Sequence, residues 1–221
     1  MIKTIILDFD GVIVESVDIK TDAFKELFKK HKDKFEQIIR YHLKNNALSR
    51  YIKFKYIYED ILKKEYTEDV KNELGKSFSN IVFQKVVDCP YVSGAEEFLN
   101  KYSKKFPLYI VSATPQEELN RIISARQLKK YFKQVLGTPP GNKIDFINSI
   151  ITSENIKSYE AVYIGDMIKD YEIARETGVM FIARESHEIF NGLDIPKFPN
   201  FNGIMKWFEE KSITNANDFK T

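Results

Sequence analysis

Apolar residues fall along this chain in two textures. Short, mostly β-branched or aromatic runs occur at Ile5-Ile6-Leu7, Leu108-Tyr-Ile-Val-Ser112, Gln134-Val-Leu136, Ala161-Val-Tyr-Ile-Gly165 and Val179-Met-Phe-Ile-Ala183. Each predicts a strand buried on both faces. Between them lie segments with apolar residues at helical spacing, such as Glu118-Leu119-Ile122-Ile123 and Ile144-Phe146-Ile147-Ile150-Ile151. This alternation predicts an α/β fold, a Rossmann-like, doubly wound parallel sheet with helices on both faces, whose functional edge lies where the strands end.

From Val17 to about Lys85 the texture is different. Ala23, Phe24, Leu27 and Phe28, and later Tyr51, Phe54, Ile57, Tyr58, Ile61 and Leu62, recur at helical spacing in a charged, aromatic-rich background with one glycine, Gly75, and no proline. An inserted all-helical cap is expected over residues 16–88, between core segments 1–15 and 89–212. The polar, aperiodic stretch 213–221 is expected to fray. Neither an internal repeat nor a low-complexity segment is found.

Composition narrows the picture only modestly. A chain of 221 residues with a net charge of +2 suits a core plus a modest second domain and suggests neither a nucleic-acid binder nor a polybasic membrane protein. Between Lys20 and Lys64 basic residues outnumber acidic ones by roughly two to one, which means solvated helix faces or a site for an anion. Cys89 is the only cysteine, so an intrachain disulfide, a Cys-rich zinc site and a redox pair are excluded, in keeping with a reducing cytosol. With no charged leader and no apolar stretch of bilayer length, a cytoplasmic protein without a membrane partner is expected.

The first run ends in Asp8-Phe9-Asp10-Gly11, and strand alternation sends both carboxylates to one side. Such a string can be a simple polar turn. The run Ala161 to Gly165 also ends in acid, Asp166, followed by Asp170 at i+4 on the first turn of a helix. Capping explains either pair alone, but acids closing two distant strands suit a hard divalent ion such as magnesium.

Two more residues fit an anion at the same edge. Ser112 closes its strand just before Thr114-Pro115-Gln116-Glu117, which reads as a capping box with proline at the first helical position. Either Ser112 is a simple turn residue at the strand end, or its hydroxyl and the free backbone N–H groups nearby, Ala113 included, make an anion cradle. Lys143 opens a helix after Gly137-Thr-Pro-Pro-Gly141-Asn142, where the dipole disfavours a cation. It is either an exposed loop residue or one held there to neutralise a carboxylate or phosphate.

Taken in order, Asp8-x-Asp10-Gly11, Ser112, Lys143 and Gly165-Asp166-x-x-x-Asp170 resemble the four motifs of the haloacid dehalogenase superfamily. Cys89-Pro-Tyr-Val-Ser-Gly94 with Phe98-Leu99 resembles the turn and helix before its second motif, and the helical insert resembles its cap between motifs one and two, as in the phosphoglycolate phosphatase and beta-phosphoglucomutase branch.

The resemblance implies a magnesium-dependent phosphatase of a small phosphorylated metabolite. Asp8 would be the nucleophile, forming an aspartyl-phosphate. Asp10 would be the acid and then the base, holding a proton for part of the cycle, with its backbone carbonyl on the metal. Asp8, Asp10, Asp166 and Asp170 would thus make the metal site, while Gly11, Ser112, Ala113 and Lys143 would hold the phosphoryl oxygens. The acid at position 10 sets the chain apart from the dehalogenase, phosphonate-cleaving and transport-ATPase branches.

Arg50, with Asn46 and Lys53, is the candidate contact from the cap, the alternative being surface charge on a helix. A sugar phosphomutase is the nearest rival, and a phosphorylated signalling domain or a catalytically silent binding protein are remote ones. A monomer or homodimer is expected.

Overall fold

The chain alternates strand and helix after a long helical detour. A computed structural model describes residues 1–45, 48–185 and 189–217, with side chains as far as Lys211. The order is β1 (Thr4–Leu7), α1 (Val17–Phe28), α2 (Phe35–Lys44), α3 (Arg50–Tyr56) and α4 (Glu68–Asp88), then α5 (Ala95–Tyr102), β2 (Leu108–Ser112), α6 (Gln116–Ala125) and β3 (Gln134–Gly137). It continues with α7 (Lys143–Ser153), β4 (Ala161–Gly165), α8 (Ile168–Thr177), β5 (Met180–Arg184), β6 (Lys197–Phe198) and α9 (Phe201–Asn217).

All six strands are parallel, in the order β3-β2-β1-β4-β5-β6. β1 therefore lies inside the sheet, with Ile5 paired to Leu108 on one side and Val162 on the other. Alternation along the strands divides the core. Ile5, Leu7, Ile110 and Ile164 face the layer of α5, α6 and α9, whereas Ile6, Tyr109, Val111 and Tyr163 face α7 and α8.

The insert buries its aromatic stripe on the first of these clusters. Phe24, Phe28, Phe54 and Phe78 are all 1% exposed or less and pack on one another at ring distances of 5.2–6.2 Å. The four rings extend that cluster continuously from the sheet into the insert. The helical spacing read over Tyr51–Leu62 divides between α3 and a π turn, Ile57–Ile61.

One expectation needs correction, and two features add to the reading. Thr114 is not a helix cap, because α6 begins after Pro115 and has no side-chain cap. The stretch 213–221 is helical as far as Asn217, and residues 218–221 lie outside those described. The two-residue strand β6 carries no run of the kind that marks the other five.

Candidate active site

The carboxyl ends of β1, β2 and β4 converge with the amino ends of α7 and α8. Asp8 continues the β1 ladder by one bond, its N–H donating to the Ile164 carbonyl at 2.9 Å. Asp8 Oδ1 accepts the Phe9 N–H at 2.6 Å and Oδ2 accepts Lys143 Nζ at 2.5 Å. The loop beyond turns back through Gly11, whose φ of +73° suits glycine. A side chain there would fall against Asp166 Oδ2. The Gly11 N–H donates to the Val14 carbonyl at 2.9 Å, so it serves the loop rather than a ligand.

Lys143 is neither exposed nor in a loop. It is the first residue of α7, 5% exposed, behind an Asn142 cap that accepts the Asp145 N–H. Its ammonium donates to Asp8, to Asp170 Oδ1 at 2.8 Å and to the Tyr163 hydroxyl at 3.0 Å. Burial alone would lower its pKa, but the carboxylates of Asp170 and Asp8 overcome that and hold it well above the usual lysine range. Two carboxylates thereby offset a cation that the helix dipole disfavours.

Asp166 and Asp170 follow β4. Asp170, fully buried, accepts the Met167 N–H at 3.2 Å and the Tyr163 hydroxyl at 2.7 Å. Asp166 is 5% exposed and accepts no hydrogen bond among the described residues. Burial, then the charges of Asp170 and Asp8, push its carboxyl well above the ordinary range. One ligand oxygen from each of Asp8, Asp166 and Asp170 can be chosen so that all lie within 4.8 Å of one another. Three buried carboxylates, one of them without a donor, fit a hard divalent cation held by oxygen.

Asp10 turns its carboxylate elsewhere. Oδ1 accepts the Ser16 hydroxyl at 2.6 Å, and Oδ2 accepts the Thr114 hydroxyl at 2.8 Å together with the Lys20 ammonium. Lys20 also donates to Thr114 Oγ1 at 2.7 Å. Burial favours the neutral acid, but Lys20 and these hydrogen bonds outweigh it and keep the group below the usual carboxylate range. Burial raises Asp8 to about 6 despite Lys143, whereas Asp10 is held below the usual range, so in the metal-free fold Asp10 is the more firmly ionised of the pair. The Asp10 backbone carbonyl accepts no hydrogen bond among the described residues.

Ser112 is fully buried, and its Oγ accepts the Thr114 N–H at 3.1 Å, leaving its own proton to donate. The Ala113 N–H has no partner among the described residues, and Ala113 lines the same cavity as Asp8, Asp10 and Asp166. From the insert, Arg50 and Lys53 line this cavity too. Arg50 is not a surface charge, since it is 4% exposed and held by Glu118 and Ser79. Asn46 lies outside the described residues.

Sequence patterning assigns no role to Lys20, Glu118, Tyr163 and His42, and it marks Thr114 only as a helix cap. Each of the first four lies on an element whose local pattern is satisfied without it, so no short-range signal marks it.

The model of the haloacid dehalogenase-like hydrolase family matches residues 5–184. The chain belongs to the haloacid dehalogenase-like hydrolases. Members of this family generally use a divalent metal, and the buried aspartate cluster is of the matching kind. Among solved structures the fold is similar to a haloacid dehalogenase-like hydrolase from Streptococcus pneumoniae (19% identity, TM-score 0.69, covering 94% of this chain and 98% of that one). It is also similar to a predicted phosphoglycolate phosphatase from Haemophilus somnus (16%, 0.73, 94% and 98%). A third similar structure is a beta-phosphoglucomutase from Clostridium difficile (16%, 0.75, 98% and 99%). At such identities the likeness is one of fold. A search of curated proteins found no significant match. Among the described residues no helix is long and apolar enough to cross a membrane.

Proposed function

We propose that this haloacid dehalogenase-like hydrolase is a magnesium-dependent phosphatase that hydrolyses a small phosphomonoester through a phosphoryl group carried on Asp8. The observation that carries the reading is the meeting of Asp8 with Lys143 at 2.5 Å beside the carboxylates of Asp166 and Asp170. A nucleophilic carboxylate, a fixed cation and a cation-binding cluster are what attack on an anionic phosphoester requires.

Asp8 is the attacking group. Its pKa of about 6 leaves it mostly ionised at neutral pH. Lys143, the Ser112 hydroxyl and the unpartnered Ala113 N–H supply donors for the phosphoryl oxygens as charge moves toward them. Asp8, Asp166 and Asp170, with the backbone carbonyl of Asp10, would hold magnesium, which when bound offsets the charge of the phosphoryl group.

Asp10, held ionised by Lys20 and Thr114, is ready to take a proton from the water that cleaves the phosphoenzyme. To serve first as the acid it has to acquire a proton that Lys20 opposes. Lys20 is thus a positioning residue for the second half of the cycle. Insert residues such as Lys20, Arg50 and Phe78 line the cavity above Asp8, and the insert would exclude bulk water by closing over the site.

A phosphomutase would need cap groups to hold a sugar, and Arg50, the first cap candidate, is drawn to Glu118. Hydrolysis therefore remains the reading. Phosphate release from small phosphomonoesters by purified protein with magnesium tests it, with isomerisation of a hexose 1-phosphate as the competing readout. Turnover that survives Asp8→Asn would overturn the mechanism.

A further inference from the structure

Every hydrogen of the Lys143 ammonium is engaged. An ammonium has three N–H groups and no lone pair. Those of Lys143 go to Asp8 Oδ2 at 2.5 Å, to Asp170 Oδ1 at 2.8 Å and to the Tyr163 hydroxyl at 3.0 Å. The last two acceptors are themselves joined, because the Tyr163 hydroxyl donates to the same Asp170 oxygen at 2.7 Å. Lys143 Nζ, Tyr163 Oη and Asp170 Oδ1 thus close a triangle.

Only one arrangement of protons satisfies it. A charged lysine cannot accept, so the phenol receives a Lys143 hydrogen and gives its own to Asp170. Tyr163 and Asp170 are both fully buried, which leaves the hydroxyl and the carboxylate no bulk water to turn to.

We infer that Tyr163 is a positioning residue for phosphoryl transfer: its hydroxyl, with Asp170, fixes two of the three Lys143 N–H groups, so that the third is aimed at Asp8. This deepens the proposed phosphatase reading and rests on it. As Asp8 bonds to phosphorus, the ester oxygen departs with the electron pair of its own bond to phosphorus. Asp8 then loses the negative charge that Lys143 faces, and the N–H outside the triangle turns to a phosphoryl oxygen. Without the Tyr163 hydroxyl the ammonium is tied on that side at one point instead of two, and it is free to rotate away from Asp8. The Ser112 hydroxyl and the Ala113 N–H are untouched by that change, so the loss falls on the transition state and not on binding of the ester.

The sheet supplies a matched control. Ile6 pairs with Tyr163 on β4 and with Tyr109 on β2, so the two tyrosines stand at one level on one face, each 1% exposed or less. Tyr109 gives its hydroxyl to Glu154, at the far end of α7 from Lys143. Tyr109→Phe and Tyr163→Phe each remove one buried hydroxyl, and each should lower the melting temperature by about 2–4 °C.

Kinetics separate the two variants. With magnesium and a phosphomonoester that the unaltered chain turns over, Tyr163→Phe should lower kcat on the order of ten- to a hundredfold with KM nearly unchanged, while Tyr109→Phe keeps both. Orthovanadate, whose five-coordinate form resembles the transferring phosphoryl group, reads the effect without turnover. Its calorimetric Kd should rise on the same order in Tyr163→Phe, and that of inorganic phosphate should hardly move. Equal kcat in the two variants, a loss confined to KM, or unchanged or tighter vanadate binding by Tyr163→Phe would overturn the inference while leaving the hydrolase reading intact. Failure of the unaltered chain to turn over any ester would instead defeat the phosphatase reading, and vanadate binding would still decide the role of Tyr163.

Discussion

Arg50 and Glu118 form a buried two-pronged pair that joins α3 of the insert to α6 beside the sheet, with one bond at 2.9 Å and Ser79 bridging both side chains. The Glu118 carboxylate would be raised by burial, but Arg50 and Ser79 hold it below its usual range. Removing one partner of such a pair strands a buried charge at a cost of about 3–5 kcal/mol. Glu118→Ala should lose stability on that scale, and Arg50→Met combined with Glu118→Leu should lose much less. Urea unfolding of the single and double variants checks this, and equal losses would contradict it.

Lys20 and Asp10 make the second prediction. Lys20→Met removes the cation that opposes the effect of burial on Asp10, so the Asp10 pKa should rise. The acid limb of the pH profile for phosphoenzyme breakdown should move to higher pH. A profile that does not move would separate Lys20 from the base.

Metal and pH should act together on stability. Asp8 is raised from 3.8 to about 6 in the metal-free fold, so the folded state binds its proton more tightly than the unfolded chain does. That contribution is complete below about pH 4 and is lost as pH rises through about 6. Asp166 acts in the same direction. Lys53, lowered from 10.5 to about 7, behaves oppositely: its contribution is complete above the higher value and is lost as pH falls through the lower one. A divalent cation needs the carboxylates ionised, so magnesium should raise the melting temperature more at pH 8 than at pH 5. Scanning calorimetry with magnesium and with chelator reads the difference.

Gly11 carries the fourth prediction. Its positive φ and the closeness of Asp166 Oδ2 leave no room for a methyl group. Gly11→Ala should cost about 1–3 kcal/mol in stability and should also weaken magnesium binding, because the methyl can be fitted only by moving Asp166. Magnesium affinity measured by calorimetry tests the second effect, and unchanged affinity would contradict it.

The strands and the chemistry at their ends were legible because both are local. Ile5 to Leu7 or Ala161 to Gly165 can hardly be anything but buried strand, and Asp8, Ser112 and Asp166 stand where those runs stop. Lys143 was legible as a cation in the wrong place on a helix. Partners joined only through the tertiary fold were hidden. Thr114 reaches Asp10 across 104 positions and Glu118 reaches Arg50 across 68, and both read locally as ordinary features of a helix start. The hold of Lys20 on Asp10 was hidden for the same reason, since Lys20 comes from a helix of the insert.

The central claim is that Asp8 carries the phosphoryl group, and acid quenching during turnover with magnesium tests it most directly. Borohydride reduction of the quenched protein followed by peptide mass spectrometry should find homoserine in place of Asp8, and no such product in Asp8→Asn. Steady turnover with Asp8 unmodified at every quench time, and with activity retained in Asp8→Asn, would contradict the account.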